Sequence, residues 1–294
     1  MKPDNKKAYI ALFTCAVTRA VHLELVSDLT TDAFLLALKR FIARRGICSV
    51  IYSDNAKTFK KAEKDLKFLW TLMKGKEIQE LFADKRIVWK YIVERAAWWG
   101  GMWERLVRSV KTCLRKIMGR SYLKFEELQT LICEVEAVIN SRPLSYLHTE
   151  SSEPSPLTPA HFLTGQRITT LPPYPLGLRN SSSEKTTATQ LNKRLQYRQR
   201  LSTNFWNRWK KDYLMELRSA HHVSNPSNQS IFKVGDVVLI HEDKQPKHMW
   251  KMGRIADTFM GRDGKIRACA VRVPSGFVIR RPIQLLYPLE VDEH

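Results

Sequence analysis

Residues 8–17 are an apolar stretch, and Val21-His22-Leu23-Glu24-Leu25-Val26 follows with alternating character, so the two predict an antiparallel hairpin. Lys2, Lys6 and Lys7 precede the first stretch much as in a signal peptide, but no small-residue cleavage pattern follows and the stretch is too short to span a bilayer. Thr30, Thr31 and Asp32 offer an N-cap for a helix with Phe34, Leu35, Leu38, Phe41 and Ile42 on one face, stopped by Gly46. A short buried strand over residues 48–52 ends at Asp54. A helix carrying Phe68, Leu69, Leu72 and Met73 comes next, then a strand over 87–93, a helix led by Glu104, and an amphipathic helix over 125–140 closed by Arg142-Pro143. Two antiparallel strands followed by helices alternating with strands predict an α/β sheet domain over residues 1–143.

Residues 144–186 shift to Pro, Ser and Thr and predict a connector draped over a surface, partly ordered by Phe162, Leu163 and Tyr174. Residues 187–219 carry one long helical pattern, with Leu191, Leu195, Phe205, Trp209, Tyr213 and Leu217 near one stripe and Lys and Arg opposite. Such a helix needs a partner for its apolar face. Over residues 230–292 the period becomes that of short strands. Arg262-Asp263-Gly264-Lys265 and Pro274-Ser275-Gly276 have hairpin chemistry, so a small all-β barrel that folds by itself is expected.

Charge adds a partner. Among 294 residues, 49 Lys and Arg stand against 29 Asp and Glu, and the net charge of +20 spreads along the whole chain. A polyanion, nucleic acid first, is the expected ligand. Cys15, Cys48, Cys113, Cys133 and Cys269 are scattered without zinc-site spacing and read as small buried residues. Neither a membrane span nor a small-molecule cofactor is expected.

Two carboxylates carry the candidate chemistry. Asp54 closes a predicted inner strand, at the carboxyl edge where open α/β sheets bind ligands; a turn or helix-capping aspartate is the alternative, and Asn55 beside it, able to hydrogen-bond locally to the same end, is a candidate nucleic-acid contact. Glu104 opens a helix on which Arg108, Lys111 and Arg115 recur at steps of four, three and four, stacking them on the carboxylate's face. An ordinary solvated face with a Glu104–Arg108 pair is the alternative, but it leaves the uniformly basic remainder unexplained. A carboxylate leading a cationic stripe suits metal at the helix start and a phosphate backbone along it. Gly100 and Gly101 permit a tight approach to that helix. Trp98, Trp99 and Trp103 read as core or hinge aromatics, or as a stacking or oligomer surface.

At these residues the chain resembles the integrases of retroviruses and LTR retrotransposons, most closely those of BEL/Pao elements. The resemblance rests on Ser53-Asp54-Asn55, on Glu94-Arg95 with Gly100-Gly101-Met102-Trp103-Glu104, on Val138-Ile139-Asn140-Ser141-Arg142-Pro143-Leu144, on Leu157-Thr158-Pro159-Ala160-His161-Phe162-Leu163, and on Gly235-Asp236-Val237-Val238-Leu239. It implies an α/β ribonuclease H-like core, a mixed sheet with helices lacking its first strand, followed by a long helix and a small all-β SH3-like barrel that binds DNA. Asp54 and Glu104 match the second and third members of an Asp, Asp, Glu triad. The implied chemistry is DNA integration, 3′-end processing and strand transfer by a polynucleotidyl transferase using two Mg²⁺ or Mn²⁺ ions, in a nuclear homo-oligomer. The chain begins at what resembles the second core strand. The strand bearing the first aspartate, and any His/Cys zinc domain, are thus expected to be missing from it, and Asp4 matches the family's connector. Catalysis is then expected to need upstream sequence. The alternative is a catalytically dead DNA-binding remnant or domesticated transposon protein.

Overall fold

The computed structural model describes residues 7–54, 56–72, 87–91, 101–119, 123–147, 154–169, 185–224, 232–242 and 245–291. They divide into two compact units, Met1–Lys111 with Tyr122–Cys133, and Thr112–Ser121 with Glu134–His294.

In the first unit, β1 (Tyr9–Thr14) pairs antiparallel with β2 (Val21–Val26) as the pattern predicts. Alternation normally marks a strand with one solvated face, yet all six residues of β2 are buried. The polar face is covered by α1 (Thr31–Arg45), whose Arg40 and Arg44 reach the Glu24 carboxylate at 2.6 and 3.1 Å, while His22 meets it at 2.9 Å. Helix α1 has the expected limits: Thr30 Oγ1 accepts from the Ala33 amide, and Gly46 at φ +85° ends it.

β3 (Val50–Ser53) leads to α2 (Lys57–Leu72) and pairs in parallel with β4 (Val88–Tyr91). Both ladders supply one aromatic-rich core. Phe13 of β1, Phe34 and Phe41 of α1, Ile51 of β3, Phe59 of α2 and Trp89 of β4 pack around Leu38 and Ala62. Phe13 stacks on Phe41 at 4.5 Å and Phe34 meets Phe59 edge-on at 4.9 Å. The two ladders nevertheless remain separate two-stranded sheets, where one mixed sheet was expected. Side-chain burial unites them without a shared main-chain ladder. Two further helices, α3 (Gly101–Met118) and α4 (Phe125–Asn140), each begin in the first unit and end in the second, α4 at the predicted limits.

The second unit gives regular structure to part of the proline-rich segment. β5 (Ser145–Leu147) pairs antiparallel with β6 (Ser155–Leu157), and α5 (Pro159–Thr164) follows with Pro159 at its first position, where a missing N–H costs nothing. α6 (Lys185–Ser224) is longer than its apolar pattern. Phe205, Trp209, Tyr213 and Leu217 are buried as predicted; Leu201, Trp206, Lys210 and Leu214 join them. Lys210 is tolerated there because its Nζ donates to the Glu242 carbonyl at 3.0 Å while its stem lies along the stripe.

β7 (Val237–Ile240), β8 (Lys251–Met260), β9 (Ile266–Arg272), β10 (Val278–Pro282) and β11 (Leu286–Tyr287) form one antiparallel sheet in the order β10-β9-β8-β7-β11. Glycines at φ +70° and +78°, Gly264 and Gly276, make the predicted turns. The sheet curls, with register shifts in β8 at Ile255/Asp257 and Phe259/Met260, over Val238, Ile240, Ile255, Cys269, Val271 and Leu286. It is an open half-barrel rather than the closed barrel expected: β10 and β11 remain edges, because a two-residue β11 is too short to complete a closing ladder.

The half-barrel also leans on α6. Trp250, just before β8, meets Trp206 at 5.3 Å and Tyr213 at 5.6 Å, both edge to face. Arg218 lies 4.3 Å over the Tyr287 ring and donates to the carbonyls of Gln284 and Leu286. Arg142, 2% exposed, donates to Glu290 at 3.1 Å and to the Ile139 carbonyl at 3.0 Å, tying the end of α4 to the segment that follows β11.

Candidate nucleic-acid interface

Asp54 directly follows β3 and is exposed. Its position is held from beneath: the buried Ser53 hydroxyl donates to the Asp54 carbonyl and accepts from the Trp89 indole N–H, each at 2.9 Å. Asp54 Oδ1 accepts the Ala56 amide at 3.0 Å, a turn that starts α2. One oxygen thus takes the capping role, while the second takes no hydrogen bond among the described residues. Asn55 lies outside the described residues, as do Trp98, Trp99 and Gly100.

Glu104 stands exposed on the first turn of α3. Arg108, Lys111 and Arg115 are exposed below it, while Val110, Cys113 and Leu114 are buried, so the cationic stripe is a true surface of the helix. Among the described residues Glu104 forms no ion pair with Arg108, and the stripe keeps its charge available to a polyanion. Asp54 and Glu104 belong to the same compact unit. Two exposed carboxylates are hard oxygen donors of the kind Mg²⁺ or Mn²⁺ takes together with substrate phosphate. Among the described residues no group of three or more His, Cys, Asp or Glu gathers to hold a metal.

A second cationic surface was not read from the sequence. Arg254 of β8 and Arg272 of β9 sit directly opposite one another, and Arg280 of β10 lies 4.5 Å over the Phe259 ring. Like charges placed across a ladder destabilise it unless an anion offsets them. The arginines lie on three different strands, and only the register sets Arg254 opposite Arg272.

Residues 193–289 match a family model described as a family of unknown function (DUF5641), which spans less than half of the chain. No curated protein matches. Among solved structures, a chain in the cryoEM structure of the simian T-cell lymphotropic virus intasome in complex with the PP2A regulatory subunit B56 gamma is similar at 14% identity and a TM-score of 0.34, over 96% of this chain and 77% of that one. So distant a likeness fixes neither fold nor activity. No helix among the described residues is long and apolar enough to cross a membrane.

Proposed function

We propose that the chain is an integrase-type polynucleotidyl transferase fragment that binds duplex DNA, of the BEL/Pao kind that its motifs resemble. The observation that carries the reading is α3, with an exposed carboxylate on its first turn and an exposed row of Arg108, Lys111 and Arg115 beneath it. The row engages the phosphate backbone, which positions DNA without reading its sequence. Asp54 and Glu104 would hold divalent metal, Mg²⁺ or Mn²⁺, which when bound would supply Lewis-acid activation and charge stabilisation at a phosphodiester. Asp54 contributes the oxygen that Ala56 leaves free, and the Trp89–Ser53 hydrogen bond fixes where that carboxylate stands. In the family that the motifs resemble a third carboxylate completes the centre, and the active species is a homo-oligomer acting in the nucleus.

Strand transfer by a chain extended with its own upstream coding sequence tests this. Asp54→Asn and Glu104→Gln should each abolish strand transfer while leaving DNA affinity within about two-fold, because neither carboxylate contributes to backbone attraction. Wild-type rates in either variant would refute the assignment. The contact from Asp54 to the Ala56 amide favours a second reading, a DNA-binding remnant in which Asp54 only starts α2; absence of strand transfer from the extended chain, with duplex binding intact, would select it.

A further inference from the structure

Within the second unit, Pro154 and Pro156 at β6, Arg167, and the stretch Met249–Met252 leading into β8 wall an open cleft of about 610 Å³. Sites for small organic ligands occupy roughly 300–1,000 Å³. Arg167 sets the chemistry of this one. Its guanidinium donates to the His248 carbonyl at 3.0 Å, and burial draws its pKa down from the ordinary value. Among the described residues it forms no ion pair. A guanidinium stays charged in a protein, so the half-buried Arg167 presents a cation to the cleft that no described carboxylate neutralises. Lys251 adds an ammonium on the wall, paired with Glu242 at 2.6 Å. The rest of the lining joins apolar surface, from the two prolines, Pro274, Trp250 and the half-exposed Met249, to the polar Ser155, Gln245 and Ser275.

We propose that this cleft takes one unpaired nucleotide of a nucleic-acid strand, with the phosphate on Arg167 and the base against Met249 and the prolines. The proposal rests on the nucleic-acid binding proposed above and adds to it a place for single-stranded substrate, apart from the α3 stripe. A bare phosphate would leave the apolar walls wet. An acidic peptide fits poorly, because Pro154 and Pro156 have no N–H and the β6 wall offers an added strand few donors. Base contact with apolar side chains is sequence-tolerant, so no base preference is expected.

Calorimetric titration of the full chain tests the cleft with deoxyadenosine monophosphate and deoxyadenosine as probes, and the α3 stripe with a blunt duplex. The monophosphate should bind about ten-fold or more tighter than the nucleoside, the gain of one charge-assisted contact. Arg167→Gln should remove that difference. Met249→Glu, at an exposed position where folding is not at stake, should weaken monophosphate binding by a similar factor. Both variants should bind blunt duplex within two-fold of wild type. Equal binding of monophosphate and nucleoside overturns the proposal, as does wild-type affinity in the folded variants or displacement of the monophosphate by an equal concentration of oligoglutamate. Failure to bind blunt duplex while the monophosphate still binds would instead count against the α3 reading and leave the cleft standing.

Discussion

The Glu24 carboxylate on β2 is 3% exposed and accepts from Arg40 Nε on α1 at 2.6 Å, while the Arg40 side chain itself remains 39% exposed. The pair is asymmetric, since only the acid has been withdrawn from water. Removing the cations and removing the anion should therefore have different effects. Arg40→Ala combined with Arg44→Ala leaves a buried charge with His22 alone and should cost about 3–5 kcal/mol. Glu24→Leu frees two arginines to reach solvent, takes from the buried His22 only this one acceptor, and should cost less, about 1–3 kcal/mol. Urea unfolding of the two variants checks this, and equal destabilisation by both would show that the network acts as ordinary packing.

His248, 3% exposed and stacked 6.0 Å from Trp206, has its pKa lowered from 6.5 to about 4, first by burial and then by Lys247. The folded state thus holds it neutral, and the unfolded chain binds the proton more readily. Its contribution is complete above pH 6.5 and is lost as pH falls through about 4. At about 1.4 kcal/mol per unit the loss amounts to roughly 3 kcal/mol. Unfolding midpoints between pH 7 and pH 4 should show this slope, and His248→Asn should flatten it, asparagine being tolerant of the left-handed backbone at φ +61°.

Arg108→Ala with Lys111→Ala should lower the slope of log affinity for duplex DNA against log salt by roughly two, about one for each phosphate that the variant no longer neutralises. The residual affinity should stay independent of sequence. An unchanged slope would take α3 off the DNA path.

The half-barrel encloses its own apolar core, and Trp250 and Tyr287 also pack against α6. Residues 232–291 alone should keep strand structure and melt about 10 °C or more below residues 185–291, because they lack a few kcal/mol of stabilisation from the α6 aromatics and Arg218. Equal melting temperatures would show that the sheet folds independently of the helix.

Much of this architecture was legible locally. Thr30 and Gly46 bracket α1, residues 125–140 keep one apolar face, Gly264 and Gly276 mark turns that need positive φ, and Arg108, Lys111 and Arg115 share a face by spacing alone. These features depend on residues within one or two turns of each other, so period and capping chemistry suffice to fix them. What lies across long separations was decided by the tertiary structure. The alternation in β2 carried no sign that Arg40 and Arg44 would cover its polar face. Nothing local pairs Arg142 with Glu290, 148 positions on, aims the α6 aromatics at Trp250, or leaves Arg167 beside a cleft without a counter-ion among the described residues. Whether a polar group is buried, paired or left available depends on which distant element arrives to face it, and only the packed chain specifies that.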